Sequence, residues 1–519
     1  MKKLIYFFTI IGAFYSFNSF SQVPLYTADA VRFSQTDGGG TARFVGLGGA
    51  NVSLGGDISS ISGNPAGLGF YNRSTWAISP VLRIGEFSAQ YEGENSRNMG
   101  GNFQIPNMGM VFHNRFEEYA GSKWISGTFG VAINQKQSFY NNINYSGTID
   151  LNADGFPYDF VEYMASPFLI TDDQGNVFNK RYATEEEIEP DFLSNPYSNL
   201  ASFVGLLNII EIVDENDNVI GYEVDRYDIN QLSPARQQEN ITTYSGLTTL
   251  DLSYGANYND VLFLGAALNI NFLNYRQERQ FRETPNNGIL NYMELNEETT
   301  ISGAGAAFTF GAIYKPINIL NIGFSYTSPT FISITETQEI DMTAIFLDGS
   351  GGNEGLINEV DPYSIMIPQK VSVGATAFLS KYGFLTADLE YVDYASTRYS
   401  SSNGAFGGEI PDVGGDLEST FNLKVGAEGR WNILRARVGY TYFDNPYNLN
   451  LGTNSSNFNQ DRQSISGGIG IMRKNGFFAD VTYKLSSFNN PDFTAYPGSD
   501  IIKSQSNISS LRLTIGKSF

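Results

Sequence analysis

The chain has 519 residues, a formal charge of −22 and no cysteine. Disulfides, thiolate metal sites and a lipid-anchored N-terminus, which needs cysteine at its cleavage site, are therefore excluded, and so acidic a chain argues against nucleic acid as a partner. Aromatics make up 14% and charged residues only 17%, the balance of a transmembrane β-barrel rather than of an acidic soluble protein.

The first residues, MKKLIYFFTIIGAFYSFNSFSQ, combine a positive n-region (Lys2, Lys3), an apolar stretch from Leu4 to Phe14, and small residues at Ser19 and Ser21. Residues 1–21 are expected to be a secretory signal peptide, because the apolar run falls short of the roughly 20 residues a spanning helix takes. Residues 22–72 precede the first strand. Within them, GLGGANVSLGGDISSISGNPAGLG (46–69) carries Asp57 as its only charge. Glycines permit close approach and positive φ, Asn64 can bond local backbone, and Pro65 fixes its own φ. A nucleotide loop fits poorly. The spacing of Gly46, Gly48 and Asn51 fails the dinucleotide fingerprint, and no Gly-Lys-Ser/Thr follows.

From about residue 73 onward, side chains alternate with period two. In FNLKVGAEGRW, Phe421, Leu423, Val425, Ala427 and Trp431 share one face, and Asn422, Lys424, Glu428 and Arg430 the other. LRARVGYTY repeats this, with Arg435, Arg437 and Thr441 opposite an apolar face. A wall with lipid outside and a wetted lumen inside requires this pattern. Fourteen segments qualify, at about 73–91, 103–114, 123–139, 243–258, 261–275, 301–315, 319–336, 368–380, 382–399, 420–433, 434–443, 464–474, 476–488 and 506–519. Tight turns at Tyr258–Val261, Lys315–Ile319, Ser380–Tyr382, Asn432–Leu434 and Lys474–Gly476 alternate with connections expected to run to a dozen residues or more. Short periplasmic turns and long external loops are the outer-membrane arrangement, so the termini are expected in the periplasm of a diderm bacterium. A pair of soluble sandwiches would not explain the alternation, nor the terminal aromatic Phe519, a feature that barrel-assembly machinery favours.

Several residues invite a functional reading. Pro80 and Pro106 interrupt the first two strands and cannot donate to the ladder. They mark either a wall defect or a bulge near a rim. His113 is the only histidine and has no nucleophile motif such as G-x-S-x-G beside it. No catalytic residue, metal site or cofactor is therefore expected. Residues 140–242 form a large external insertion with 19 acidic and 4 basic residues. DDQGNV (172–177) and DENDNV (214–219) have hairpin-turn composition. A calcium loop at Asp214, Asn216 and Asn218 would need glycine where Val219 stands. Phe203, Leu206 and Leu207, with Phe346 further on, form apolar clusters that are either a ligand-capturing groove or a small loop core. Asp388, Glu390, Glu428, Arg430, Arg435 and Arg437 face inward, along with Lys424, Asp480, Lys484 and Arg512. They form either an ion-pair network that seats a plug or a polar track for a ligand carboxylate.

The small-residue run at Gly46, Gly48, Gly49 and Ala50, the acid Asp57 and then Asn64-Pro65-Ala66-Gly67-Leu68 resemble the N-terminal hatch of the FadL/TodX family. These are outer-membrane transporters of long-chain fatty acids and other hydrophobic compounds. PQKVSVGATAF, ADLEYVDYAS and GAEGRWNILRARVGYTYFDNP also resemble the family's strands, with Glu428, Arg437, Gly439 and Pro446 at matching places. The resemblance implies an all-β fold, a transmembrane antiparallel barrel of fourteen strands (73–519) with a hatch (22–72) inside its lumen. It implies passive uptake of fatty-acid-like molecules, captured by external loops and passed through a hatch-gated lumen, with a side window where a strand is kinked. A barrel scaffold or partner subunit of a protein secretion system, docked through the acidic insertion, is the alternative. The expected partners are membrane lipid, a hydrophobic small molecule, the barrel-assembly machinery and, under the alternative, secretion proteins.

Overall fold

A computed structural model describes residues 25–37, 39–117, 122–149, 159–171, 177–226, 234–286, 288–401, 410–448 and 460–519. The signal-peptide expectation lies outside the described residues. Fourteen antiparallel strands close into one barrel. They are β1 (Thr75–Tyr91), β2 (Glu94–Arg115), β3 (Trp124–Ser138, continued by Asn141–Ile149), β4 (Ala235–Tyr258) and β5 (Leu262–Pro285). Next come β6 (Leu290–Ile317), β7 (Leu320–Thr327, continued by Thr330–Phe346), β8 (Gly351–Ile367, continued by Lys370–Phe378) and β9 (Gly383–Asp393, then Arg398–Ser401). The last are β10 (Ser419–Trp431), β11 (Leu434–Phe443), β12 (Arg462–Met472), β13 (Phe477–Asn489) and β14 (Ile501–Ser518). Closure is the pairing of β1 with β14, from Thr75↔Ser518 to Gln90↔Lys503.

The alternation read from the sequence is the wall itself. Leu264, Phe308, Phe310, Phe324, Leu423, Val438 and Ile469 point outward and are exposed, while Asp251, Asn269, Thr309, Thr376 and Thr482 point inward and are buried. Exposed apolar side chains are stable there only against lipid. At the end carrying the tight turns, Trp124 packs edge-on against Tyr258 at 5.1 Å. Tyr382, Trp431 and Phe519 stand exposed at the same level, as an interfacial aromatic girdle requires.

Three of the long connections expected between strands are instead continuations of the strands. β1 and β2 join through Glu92 and Gly93, whose φ values of 47° and 73° suit a two-residue hairpin. β5–β6 and β7–β8 join through 286–289 and 347–350, and β6 reaches 28 residues, where about 9–11 suffice to cross a bilayer. The cause is local. Beyond the bilayer the outer face meets water, so apolar alternation stops while pairing continues. There the outward residues form ion pairs such as Arg276–Glu298 at 2.9 Å and Arg236–Glu94 at 3.2 Å. The wall likewise takes up 141–149 and 235–242, where β3 and β4 stay paired from Asn141↔Thr243 to Ile149↔Ala235.

The described part of the insertion folds as a cap on the loop end. Phe160, Met164, Phe168, Leu200, Leu206 and Leu207 form one core with Phe281, Leu290, Met293 and Met342 from the protruding strands. A three-stranded sheet completes it, with Val219–Arg226 between Arg181–Tyr182 and Leu207–Val213. The expected turn at 214–219 is present, closed by Asp214 Oδ1 accepting from the backbone N–H groups of Asn216 (2.8 Å) and Asn218 (2.9 Å). That carboxylate is spent on its own turn, and no metal-binding cluster occurs among the described residues. Of the turn expected at 172–177, only Val177 is described. Leu169–Thr171 and Val177–Asn179 pair on either side.

The N-terminal segment fills the lumen. Helix α1 (Leu25–Ser34) hangs from the loop end, where Tyr399 Oη donates to the Tyr26 carbonyl at 3.0 Å and Thr27 to Asp416 at 2.7 Å. Below it, residues 39–71 run as a short helix α2 (Ala42–Gly46) and two 3-10 turns, Ile58–Ile61 and Pro65–Phe70. Irregular backbone at membrane depth survives only if protein groups satisfy it. Here lumenal side chains do so. Thr441 donates to Gly48 O (2.7 Å), Ser253 to Ile61 O (2.5 Å), Lys136 to Ser62 O (2.9 Å) and Thr482 to Ala42 O (2.6 Å).

Candidate functional site

Asn64 caps the 3-10 turn at Pro65–Phe70, accepting from Ala66 N at 3.1 Å. Its amide donates to Val52 O (2.6 Å) and across to Phe324 O of β7 (3.1 Å). Asn64, Pro65, Ala66 and Gly67 are buried against the wall. The wall receives them with glycines, of which Gly439 was noted in the sequence only as a family match and Gly311 was not noted. A Cβ on Gly311 would stand 1.8 Å from Asn64 Oδ1, and one on Gly439 would stand 2.0 Å from Gly48 N. The signal was present as glycine on the inward period of β6 and β11, but it acquires meaning only once the plug is seen behind it. Asn64→Ala strands two carbonyls and one N–H. It is expected to cost about 1–3 kcal/mol, read as a lower thermal transition of the barrel.

The six inward charges separate into groups. Glu428 accepts from Arg430 (2.7 Å), Arg437 (2.7 Å) and the plug's Arg43 (3.3 Å). Arg437 continues to Asp480 at 2.5 Å, and Arg43 lies 3.7 Å from Asp57. Asp388 accepts from the backbone N–H groups of Asn51 (2.6 Å) and Val52 (2.8 Å). Glu390 pairs with Lys424 at 3.0 Å. Arg435 stands apart from this network. Its guanidinium bonds the Asn432 and Leu434 carbonyls of its own tight turn, at 2.8 Å each. Its strand position aims it inward, but it lies too near the turn end to reach the network.

Leu206 and Leu207 do not line a groove. They are sealed in the cap core, Phe346 packs at its edge, and Phe203 projects away, 68% exposed. Their cluster folds the cap. His113 Nδ1 lies 3.1 Å from the Thr128 hydroxyl, and no carboxylate pairs with it among the described residues.

Pro80 and Pro106 occupy one defect. Ser79 pairs with Asn107 and Val81 with Gln104, so Pro80 opposes Ile105 and Pro106. The extra residue makes a bulge and switches the outward set of β2 from Met99, Phe103 and Ile105 to Met108 and Phe112. Above it the β2–β3 ladder ends, since their pairing covers only Asn107–Arg115 with Ser126–Asn134. Side chains bridge the gap instead. Arg83 bonds Gln104 and, at 3.3 Å, Gln135, and Asn98 donates to Asn142 at 2.7 Å. Tyr140 leans across it onto Gly100, where a Cβ would meet its hydroxyl at 2.3 Å. Prolines also break β7 and β8 at Pro329 and Pro368. The register there is kept, from Thr327↔Lys370 to Thr330↔Ile367, so that pair bends the wall without opening it.

Behind the gap lies a lumenal cavity of about 390 Å³. Its apolar lining is Phe87, Phe139, Ile143, Ile241, Phe488 and Ile508. Cations line it as well, and the Arg462 guanidinium lies 4.6 Å from the centroid of the Phe488 ring. Arg462 donates to Gln35 (2.9 Å), Lys484 binds Asp37 (2.5 Å), and Arg83 and Arg512 complete the cluster. Arg512 bonds Gly40 O, yet its buried Nε has no partner. With Arg32, Lys136 and Arg279 the lining holds seven cations, against two aspartates, Asp37 and Asp492. Lys484 and Arg512 were legible as inward charges, whereas Arg83 and Arg462 were not, because bulge and loop offset their strands. A second cavity of about 150 Å³, lined by Asn51, Asn271, Lys370 and Asp388, lies between plug and wall.

On the plug, Asp29 is buried beside Arg32, and burial pushes its carboxyl up to about 6. Its unfolded value is near 3.9, so the native state holds the proton more tightly. The seating of α1 is therefore expected to weaken as pH rises from about 4 to about 6. Asp29→Asn should flatten that dependence, which hydrogen exchange of residues 25–34 would follow.

No family model matches the sequence, and no curated protein matches it. Solved structures do. A FadL homologue from Pseudomonas aeruginosa is 13% identical, with 93% of this chain and 98% of that one covered and a TM-score of 0.52. The toluene transporter TodX of P. putida is 10% identical, with 93% and 99% covered and a TM-score of 0.52. At such identity the likeness is one of architecture, over nearly the full length of both partners. The chain has the fold of the FadL/TodX outer-membrane channels.

Proposed function

We propose that the protein is a passive outer-membrane channel for hydrophobic molecules bearing an acidic head, fatty-acid-like in shape. The observation that carries this is the mixed lining of the lumenal cavity. Its apolar side chains exclude water from a tail, and its cations, among them Arg512 with an Nε that has no partner among the described residues, suit a carboxylate. The likeness to a toluene transporter supports the apolar part of the reading. The tight turns face the periplasm and the cap faces outward. The ligand passes from the cap end into the cavity and leaves laterally through the β2–β3 gap, past Tyr140. The plug, clamped by Glu428 and Arg437, gates the lumen below.

Native mass spectrometry of protein extracted gently from its own outer membrane tests this. A co-purifying small apolar acid is expected. Stoichiometric protein partners without any small ligand would replace the channel by the scaffold reading. Replacing both prolines, Pro80→Val with Pro106→Val, permits the missing ladder bonds. Uptake of a fluorescent fatty acid is then expected to fall several-fold while ligand binding persists. Unchanged uptake would remove the lateral route.

A further inference from the structure

The cap ends in a hairpin that the channel reading leaves without a task. Strand Leu207–Val213 lies at the rim of the three-stranded sheet and, among the described residues, pairs on one side only, with Val219–Arg226. Unpaired strand edges are templates for another chain, and proteins normally blunt them with lysine, proline or bulges. This one carries Leu207-Asn208-Ile209-Ile210-Glu211-Ile212-Val213, with neither lysine nor proline. Beside the exposed Asn208 and Glu211 it exposes Ile209, Ile210 and Val213, and across the turn Val219 and Ile220 are exposed too. Such side chains are not needed by the cap core, which Leu206 and Leu207 already complete.

A pocket adjoins the start of this strand. It has about 400 Å³ and is lined by Ile289, Phe346 and Leu347 together with Gly205, Asn208, Asp348 and Ser350. Leu347 is 68% exposed and Ile289 53%. An exposed edge that runs into an apolar pocket has the two parts of strand-addition recognition. Main-chain hydrogen bonds supply affinity, and a pocket for one side chain supplies specificity.

Charge decides the occupant. The hairpin from Leu207 to Arg226 carries Glu211, Asp214, Glu215, Asp217, Glu223 and Asp225 against a single cation, Arg226. A second copy would bring the same acids edge to edge, and like charges directly opposed destabilise a pairing. A basic strand gains where a copy loses.

We propose that the edge Leu207–Val213 and the pocket at Phe346 and Leu347 dock an extended, basic segment of another protein, anchored by one large apolar side chain. The segment adds as a fourth strand to the cap sheet, with its lysines or arginines beside Glu211 and Glu215. This surface is separate from the lumen and does not rest on the transport reading.

The test uses the full chain in lipid nanodiscs and the synthetic peptide Phe-Lys-Val-Lys-Val-Lys, capped at both ends and labelled for fluorescence anisotropy. Saturable binding is expected, weakening with salt as exposed charges are screened. Alternate N-methylation of the peptide backbone removes donors on one edge while leaving side chains intact, and is expected to cost at least about tenfold in affinity. Glutamate in place of the peptide lysines should abolish binding. On the protein, Glu211→Lys with Glu215→Lys, and separately Leu347→Asp, should each weaken it. All three positions lie on the cap surface, so folding and fatty-acid binding should not change. Absence of binding at about 1 mM peptide, or equal binding of the N-methylated peptide, would overturn the proposal. Concentration-dependent self-association that Glu211→Lys alters would overturn it in favour of a second copy.

Discussion

Arg462→Leu combined with Arg512→Leu is expected to lower affinity for dodecanoate at least about a hundredfold, since each hydrogen bond to a charged group contributes about 1.5–3 kcal/mol. Affinity for dodecanol, with the same tail and no charge, should stay within about threefold, because the apolar lining keeps Phe87, Phe139, Ile241 and Ile508. Isothermal titration with both ligands reads the difference directly. Arg462 bonds Gln35 and Arg512 bonds Gly40 O, so neither removal leaves a buried carboxylate unpaired. Lys484 is the poorer choice, because its loss would strand Asp37. Equal loss of both ligands would mean that the cations hold the cavity open rather than recognise a head group. Loss of neither would place the ligand elsewhere.

Arg437→Met attacks the clamp between plug and wall. The side chain is nearly inaccessible and holds two carboxylates, Glu428 at 2.7 Å and Asp480 at 2.5 Å. Glu428 retains Arg43 and Arg430. Asp480 has no other ion-pair partner among the described residues, and removing one partner of a buried pair costs about 3–5 kcal/mol. Thermal unfolding followed by heat-modifiable gel mobility should shift down accordingly. Because Arg43 belongs to the plug, the variant should also raise ion conductance in planar bilayers. An intact transition with raised conductance would make the network a gate. A lowered transition with unchanged conductance would make it a structural seat only.

The period-two pattern was enough to find the strands that cross the bilayer, because lipid outside and water inside enforce opposite polarity at every step. Val438 and Arg437 need no partner to declare their faces. The tight turns at Tyr258–Val261 and Asn432–Leu434 were legible for a related reason, in that Asn259, Asp260 and Asn432 adopt positive φ, which asparagine and aspartate tolerate. The same logic failed beyond the membrane. Arg276, Glu278 and Arg282 sit on strands whose outer face meets water and whose apolar side chains, such as Phe281, Met293 and Met342, turn inward to the cap core, so the lipid-facing pattern ends where pairing continues. The cap cluster at Leu206 and Leu207 was visible as apolar, but whether it faced a ligand or a core depended on what covered it.

The sequence by itself determined the barrel, its strand number and the wall's two faces, while a plug was only what the resemblance to the FadL/TodX hatch implied. Barrel, strand number and faces are properties of single strands in a fixed solvent, written every second residue. Tertiary structure alone decided the rest. It put Pro80 opposite Pro106 in one bulge, ended the β2–β3 ladder above it, and joined Glu428 to Arg437 and the plug's Arg43. It also gathered Arg83, Arg462, Lys484 and Arg512 around one cavity. Arg43 and Glu428, and Arg83 and Arg512, stand hundreds of positions apart, and their meeting depends on strand register and barrel closure. A one-residue shift at a bulge reverses every side chain beyond it, so no local pattern could have fixed them.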